Sequence, residues 1–237
     1  MKKALNCLLV AGAVLAGVSQ RAEAVAFTAA SVGESFTVTY NGTDQNVNSG
    51  PFDSLLGAQA TFTVTSFDLA DSNSVVLNVA LTNTTQAPRT SQVTVFGFNV
   101  DPNVTGGTVT GVYDELLFNQ NPNAHGLGTF EVCAKDGQSS NCNNGQTGPT
   151  AGQTSNFVLT LQFASLIPAT TVSLTDFFVR YQSINTTAGS GAGLGTCTVN
   201  CTPDDPNDPN NPIPEPTSLA LLGVGLLGAA YARRRKQ

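Results

Sequence analysis

The segment FVLTLQF, residues 157–163, sets Phe157, Leu159, Leu161 and Phe163 at every second position, with Val158, Thr160 and Gln162 between them. A repeat of two is the period of a β-strand, whose successive side chains point to opposite faces, whereas a helix needs 3.6. The same alternation recurs in Phe36, Val38, Tyr40; in Ala60, Phe62, Val64; and in Val75, Leu77, Val79, Leu81. Gln92 to Val100, Gly128 to Ala134 and Val172 to Ile184 add further strand candidates, rich in the Thr, Val and Phe that suit a pleated surface. Asn41-Gly42, Gly106-Gly107 and Asp101-Pro102-Asn103 are read as the turns between them. Half-buried strands in such a series predict a mainly β fold, an antiparallel β-sandwich of jelly-roll-like form.

Two stretches break the alternation, residues 113–127 and 136–154, and both are expected as long loops, either carrying recognition or serving as polar connections. Gly189 to Gly195 reads as flexible filler, because no Lys-Ser/Thr follows to make it a phosphate loop. Composition agrees with an exported β protein. Charged residues are 11% of the chain against 41% hydrophobic, so solubility rests on Thr, Ser, Asn, Gln and Gly. With 23 Gly, 12 Pro, one Met and no Trp, turns are plentiful and helix is expected only at the termini.

The net charge is −6, and most of the ten basic residues sit at the ends, at Lys2, Lys3, Arg21, Arg233, Arg234, Arg235 and Lys236. Arg89, Lys135 and Arg180 are what remains between them. So few cations cannot neutralise a row of phosphates, which argues against nucleic acid or anionic lipid as a partner of the central domain.

The start has the order of a secretory signal peptide: Lys2 and Lys3, an apolar run from Ala4 to Val18, then the small-x-small site Ala22-Glu23-Ala24. Residues 1–24 are therefore expected to be a leader, helical while attached and cut after Ala24, leaving residues 25–201 as the β ectodomain. Residues 202–213, TPDDPNDPNNPI, follow as an extended Pro/Asp/Asn spacer that resists sheet pairing. Residues 214–237 then run from Pro214-Glu215-Pro216 through an apolar stretch, Leu219 to Ala232, to Arg233, Arg234, Arg235 and Lys236. As a single transmembrane helix that stretch spans about 21 Å against a hydrocarbon core of roughly 30 Å, a marginal anchor stopped on the cytoplasmic side by its arginines.

This tripartite ending resembles the PEP-CTERM sorting signal. The resemblance implies processing near Pro214 to Pro216 by an exosortase, a membrane cysteine transpeptidase of Gram-negative bacteria. It also implies passage through the secretion machinery, a transient stay in the inner membrane, and a final place at the cell surface or outside the cell. The opening AFTAASVGESFTVTYNG, residues 26–42, resembles the start of the cistern family of PEP-CTERM proteins, which implies no activity.

Cys7 lies within the leader, so Cys133, Cys142, Cys197 and Cys201 remain, an even number for an oxidising compartment. Three pairings exist, and Cys133 with Cys142 and Cys197 with Cys201 are preferred because each encloses a short segment with Asn or Gly. A zinc site is the rival, but no CxxC pair is present and His125 is the one histidine. No resident cofactor is expected. Ca2+ is the one ion with candidate ligands, at Asp101, Asp114, Glu115 and Asp136, though no calcium-loop pattern joins them.

No nucleophile elbow or metalloprotease motif surrounds His125, and in a strand the adjacent Asp114 and Glu115 would diverge rather than flank a bond, so they read as a solvated pair. The chain is therefore expected to be non-enzymatic, a structural or interaction protein of the cell surface, extracellular matrix or biofilm. The alternative is a carbohydrate-binding module engaging exopolysaccharide, for which Tyr113 and Tyr181 are the candidate stacking rings.

Overall fold

The computed structural model describes residues 24–43, 52–122, 128–137, 140–164, 171–186 and 189–201. The expected leader up to Glu23, the spacer, the Pro214-Glu215-Pro216 motif with its apolar and arginine tail, and His125 lie outside the described residues. Among the described residues no helix is long and apolar enough to cross a membrane.

Eleven strands build the domain: β1 (Val25–Thr28), β2 (Ser35–Thr43), β3 (Phe52–Asp68), β4 (Ser74–Asn83), β5 (Gln92–Asp101), β6 (Val104–Gly111), β7 (Glu115–Gln120), β8 (Phe130–Lys135), β9 (Thr154–Phe163), β10 (Thr171–Gln182) and β11 (Ser190–Val199). A 3-10 turn, Ala29–Ser31, follows β1, capped by Thr28. Hydrogen bonding joins ten strands in the order β6-β9-β4-β3-β2-β11-β10-β5-β8-β7, with β1 paired to the first half of β10. Every pairing is antiparallel.

The two layers expected from sequence come from one hydrogen-bonded ribbon folded back on itself, a mainly antiparallel fold of the sandwich-or-barrel class. Its end strands β6 and β7 are consecutive in the chain and touch. Aromatic contacts show the closure directly. Phe62 of β3 lies 5.6 Å from Phe96 of β5 and 5.7 Å from Phe177 of β10, and Phe96 lies 5.2 Å from Phe157 of β9, all between strands far apart in the ribbon. The alternating apolar positions of β2, β3, β4 and β9 thus meet those of β5 and β10 in one core, where burial of each large side chain contributes roughly 1.5–3 kcal/mol.

Four strands depart from the sequence reading. Gly106-Gly107 lies inside β6 rather than at a turn, because a Cβ at 107 would stand 2.3 Å from the Thr160 carbonyl of β9. Residues 115–120, expected as loop, form β7, whose partial burial on both faces hides any alternation. Residues 190–195, expected as filler, belong to β11 in the middle of the sheet, where close neighbours at 193 and 195 leave space for glycine alone. Asn41-Gly42 likewise sits within β2, at a register shift rather than a turn.

β5 is buried on both faces. Its outer side carries a small second core of Val95, Phe130, Cys133, Cys142 and Phe178, with Phe130 stacked 4.0 Å from Phe178. The segment around Cys142 covers it, docking by backbone: Val93 donates to the Pro149 carbonyl at 3.0 Å, and Gln92 bridges Thr150.

Candidate functional site

The point where the domain hands over to the C-terminal segment is built on β11. Cys197, buried against the main core, and Cys201, the last described residue, have Cα atoms 5.8 Å apart and stand at disulfide distance. Between them Asn200 adopts φ 51°, a left-handed conformation that Asn tolerates, and donates its side-chain amide to the Ser35 carbonyl at 2.9 Å. Thr198 reaches the Thr39 hydroxyl at 3.1 Å. The exit is therefore fastened to β2 by side chains as well as by the sheet ladder.

The other end of the domain begins in the same place. Val25, the residue that would follow the expected cleavage after Ala24, is buried and pairs with Leu174, and it lines a cavity of about 460 Å³ together with Phe27, Phe36, Val64 and Cys201. Ala24 itself is half-buried beside it, and Ala22 lies outside the described residues. Both described ends open at one end of the sheet.

Cys133 on β8 and Cys142 stand at disulfide distance too, with Cα atoms 6.4 Å apart, and sit in the small outer core. The two cysteine pairs preferred from sequence are thus the pairs the fold brings together. Nearby, the wholly buried Lys135 donates to the Glu115 carboxylate and to the Gly137 carbonyl, and Asp114 accepts from the Gly137 amide at 3.3 Å. Asp114 is exposed, as a solvated carboxylate would be, whereas Glu115 is drawn into a partly buried ion pair. One closes a turn, and the other neutralises a buried ammonium.

Among the described residues no three His, Cys, Asp or Glu side chains group as metal ligands. Glu131, which sequence reading passed over, accepts from Val104 N at 2.6 Å and Val100 N at 3.1 Å and so fastens the β5–β6 turn. Desolvation pushes its carboxyl above the ordinary range, against the pull of those two amides.

The two candidate stacking rings are not at the surface. Tyr113 and Tyr181 are fully buried, and burial pushes both phenols well up. The Tyr113 hydroxyl donates to the Val93 carbonyl at 2.7 Å, and its ring lies 5.0 Å from Phe157, so the residue anchors the core. Period-two strand logic could have flagged Tyr181, since it shares a face with Val179 and Phe177 is displaced by a bulge; Tyr113 carried no such signal.

Beyond the described domain, residues 212–236 match the family described as PEP-CTERM protein-sorting motif. The match takes in Pro214, Glu215 and Pro216 and the three arginines 233–235. The chain is thus an all-β domain carrying a C-terminal sorting signal, one that implies export and membrane passage toward the cell surface. A search of curated proteins found no match to it.

Proposed function

We propose that this is a non-enzymatic cell-surface or extracellular-matrix protein, exported by the secretion machinery, held briefly in the inner membrane by its tail, and processed near Pro214-Glu215-Pro216 by an exosortase-type transpeptidase. The sorting motif at 212–236 carries the reading. The rest of the chain supports it: the paired cysteines suit an oxidising compartment. The exit at Cys201, fastened to β2, also ends the folded domain just ahead of the motif-bearing segment.

The test is deletion of residues 212–237 in a bacterium that makes the protein, followed by fractionation and mass spectrometry of both termini. Loss of processing and of surface retention is expected. An unchanged location and an unchanged C-terminal boundary would overturn the proposal. An aromatic-stacking carbohydrate module is not supported, because Tyr113 and Tyr181 lie in the core.

A further inference from the structure

Charge is distributed very unevenly over this fold. The six neighbouring strands β6, β9, β4, β3, β2 and β11 contain no Asp, Glu, Lys, Arg or His, save Asp53 and Asp68 at the extremities of β3. The other charged strand residues, Asp101, Glu115, Glu131, Lys135, Asp176 and Arg180, lie on β5, β7, β8 and β10, in the other half of the ribbon.

What the uncharged half presents outward is ordered. Register places Ser35, Thr63, Asn78, Val158 and Thr110 in one row across five strands. The next row is Thr37, Thr61, Ala80 and Asn156. Neighbours within rows are tied by hydroxyl contacts, Ser35 to Thr63 at 2.7 Å and Thr37 to Thr61 at 3.2 Å, and Thr82 meets Thr154 at 2.7 Å in the row beyond. Where Ala80 interrupts the longer side chains the surface dips into a shallow depression of about 460 Å³, walled by Thr61, Thr63, Asn78, Thr110 and Asn156.

We infer that this threonine- and asparagine-ruled face is a binding surface for an uncharged polysaccharide. Hydroxyl and amide groups both donate and accept, which matches a polymer of hydroxyls, and the sheet sets them out at roughly 4.8 Å across strands and about 7 Å along them, interrupted at Ala80 and Val158. Thr is stiff at χ1 and already held by its neighbour, so little side-chain freedom is lost on binding. The absence of charge selects the partner. An acidic polymer finds no cation, and a protein partner finds little of the aromatic, Met or Arg content that interface centres use. The inference rests on the surface-protein reading only for where the polymer is met.

The test uses the full-length chain in a non-glycosidic detergent, with pull-down on cellulose, amylose and dextran beads and on alginate beads as the acidic comparison. Retention on at least one uncharged polymer and none on alginate is expected. Asn78→Asp with Asn156→Asp keeps side-chain shape but forces desolvation of carboxylates on contact, and should weaken retention at least roughly tenfold. Asn144→Asp, in the segment covering the opposite layer, should leave it unchanged, and unfolding midpoints of all variants check that the fold persists.

No retention on any uncharged polymer overturns the inference, as does retention that ignores the double substitution. Concentration-dependent self-association abolished by that substitution would also overturn it, assigning the face to a second copy of the chain. None of these outcomes touches export, which the tail deletion tests separately.

Discussion

Gly195 of β11 pairs directly with Tyr40 of β2, and a Cβ at 195 would stand 2.7 Å from the Tyr40 ring, 2.7 Å from Phe177 Cβ and 2.6 Å from Val38 Cγ1. Three core side chains therefore occupy the space a side chain would need. Gly195→Ala is expected to cost about 1–3 kcal/mol by overpacking, read as a lowered urea midpoint with unchanged slope. Gly106→Ala is the contrast, since its nearest obstacle is the end of Gln162 at 3.5 Å, and it should be neutral or slightly stabilising.

Asn83 is wholly buried at the end of β4, donating at 3.1 Å to the Ser91 carbonyl and the Pro149 carbonyl while accepting from the Thr85 amide at 3.0 Å. It ties the β4–β5 connection to the segment covering β5. Asn83→Ala strands those partners and should cost about 2–3 kcal/mol in equilibrium unfolding. Hydrogen exchange should quicken first at Thr85.

Lys135 is fully buried, and Glu115 is its carboxylate partner. Removing Glu115 alone leaves an uncompensated ammonium, so Glu115→Ala should destabilise by about 3 kcal/mol. Pairing it with Lys135→Met removes the buried charge as well. The double variant should unfold at higher urea than the single one.

Cysteine connectivity is read by non-reducing peptide mapping of the exported protein. Two links are expected, Cys133 to Cys142 and Cys197 to Cys201, with no free thiol among the four. Each closes a short loop, so breaking either is expected to cost about 2–3 kcal/mol in the chain-entropy account.

Two carboxylates shift in opposite directions. Asp68 lies below its ordinary value because the Asp71 amide and the Ser72 hydroxyl bond its ionised form, so its contribution is present above the unfolded value of 3.8 and is lost as pH falls through the lower folded value. Glu131 lies above 4.5 through desolvation, so the folded state holds its proton more tightly and the stability linked to it declines as pH rises from 4.5 through the raised value. Carboxyl chemical-shift titration should place the two midpoints on opposite sides of the ordinary range.

The alternating strands at 36–40, 60–64, 75–81 and 157–163 were legible because a half-buried strand writes its burial into its own residues. The sorting motif was legible for a similar reason: its parts are contiguous, so their order and spacing need no fold to be seen. The cysteine pairs were also near one another in the chain. What the tertiary structure alone decided involves residues whose meaning comes from distant partners. Glycine at 193 and 195 signals a loop until Tyr40, Tyr181 and Phe177 are seen filling the space beside it. Tyr113 looks like a surface ring until its hydroxyl meets Val93. The uncharged outer rows exist only because register aligns Thr63 with Asn78 on the next strand and Asn78 with Val158 on a strand far along the chain, and long-range register is a property of the folded ribbon, not of any one segment.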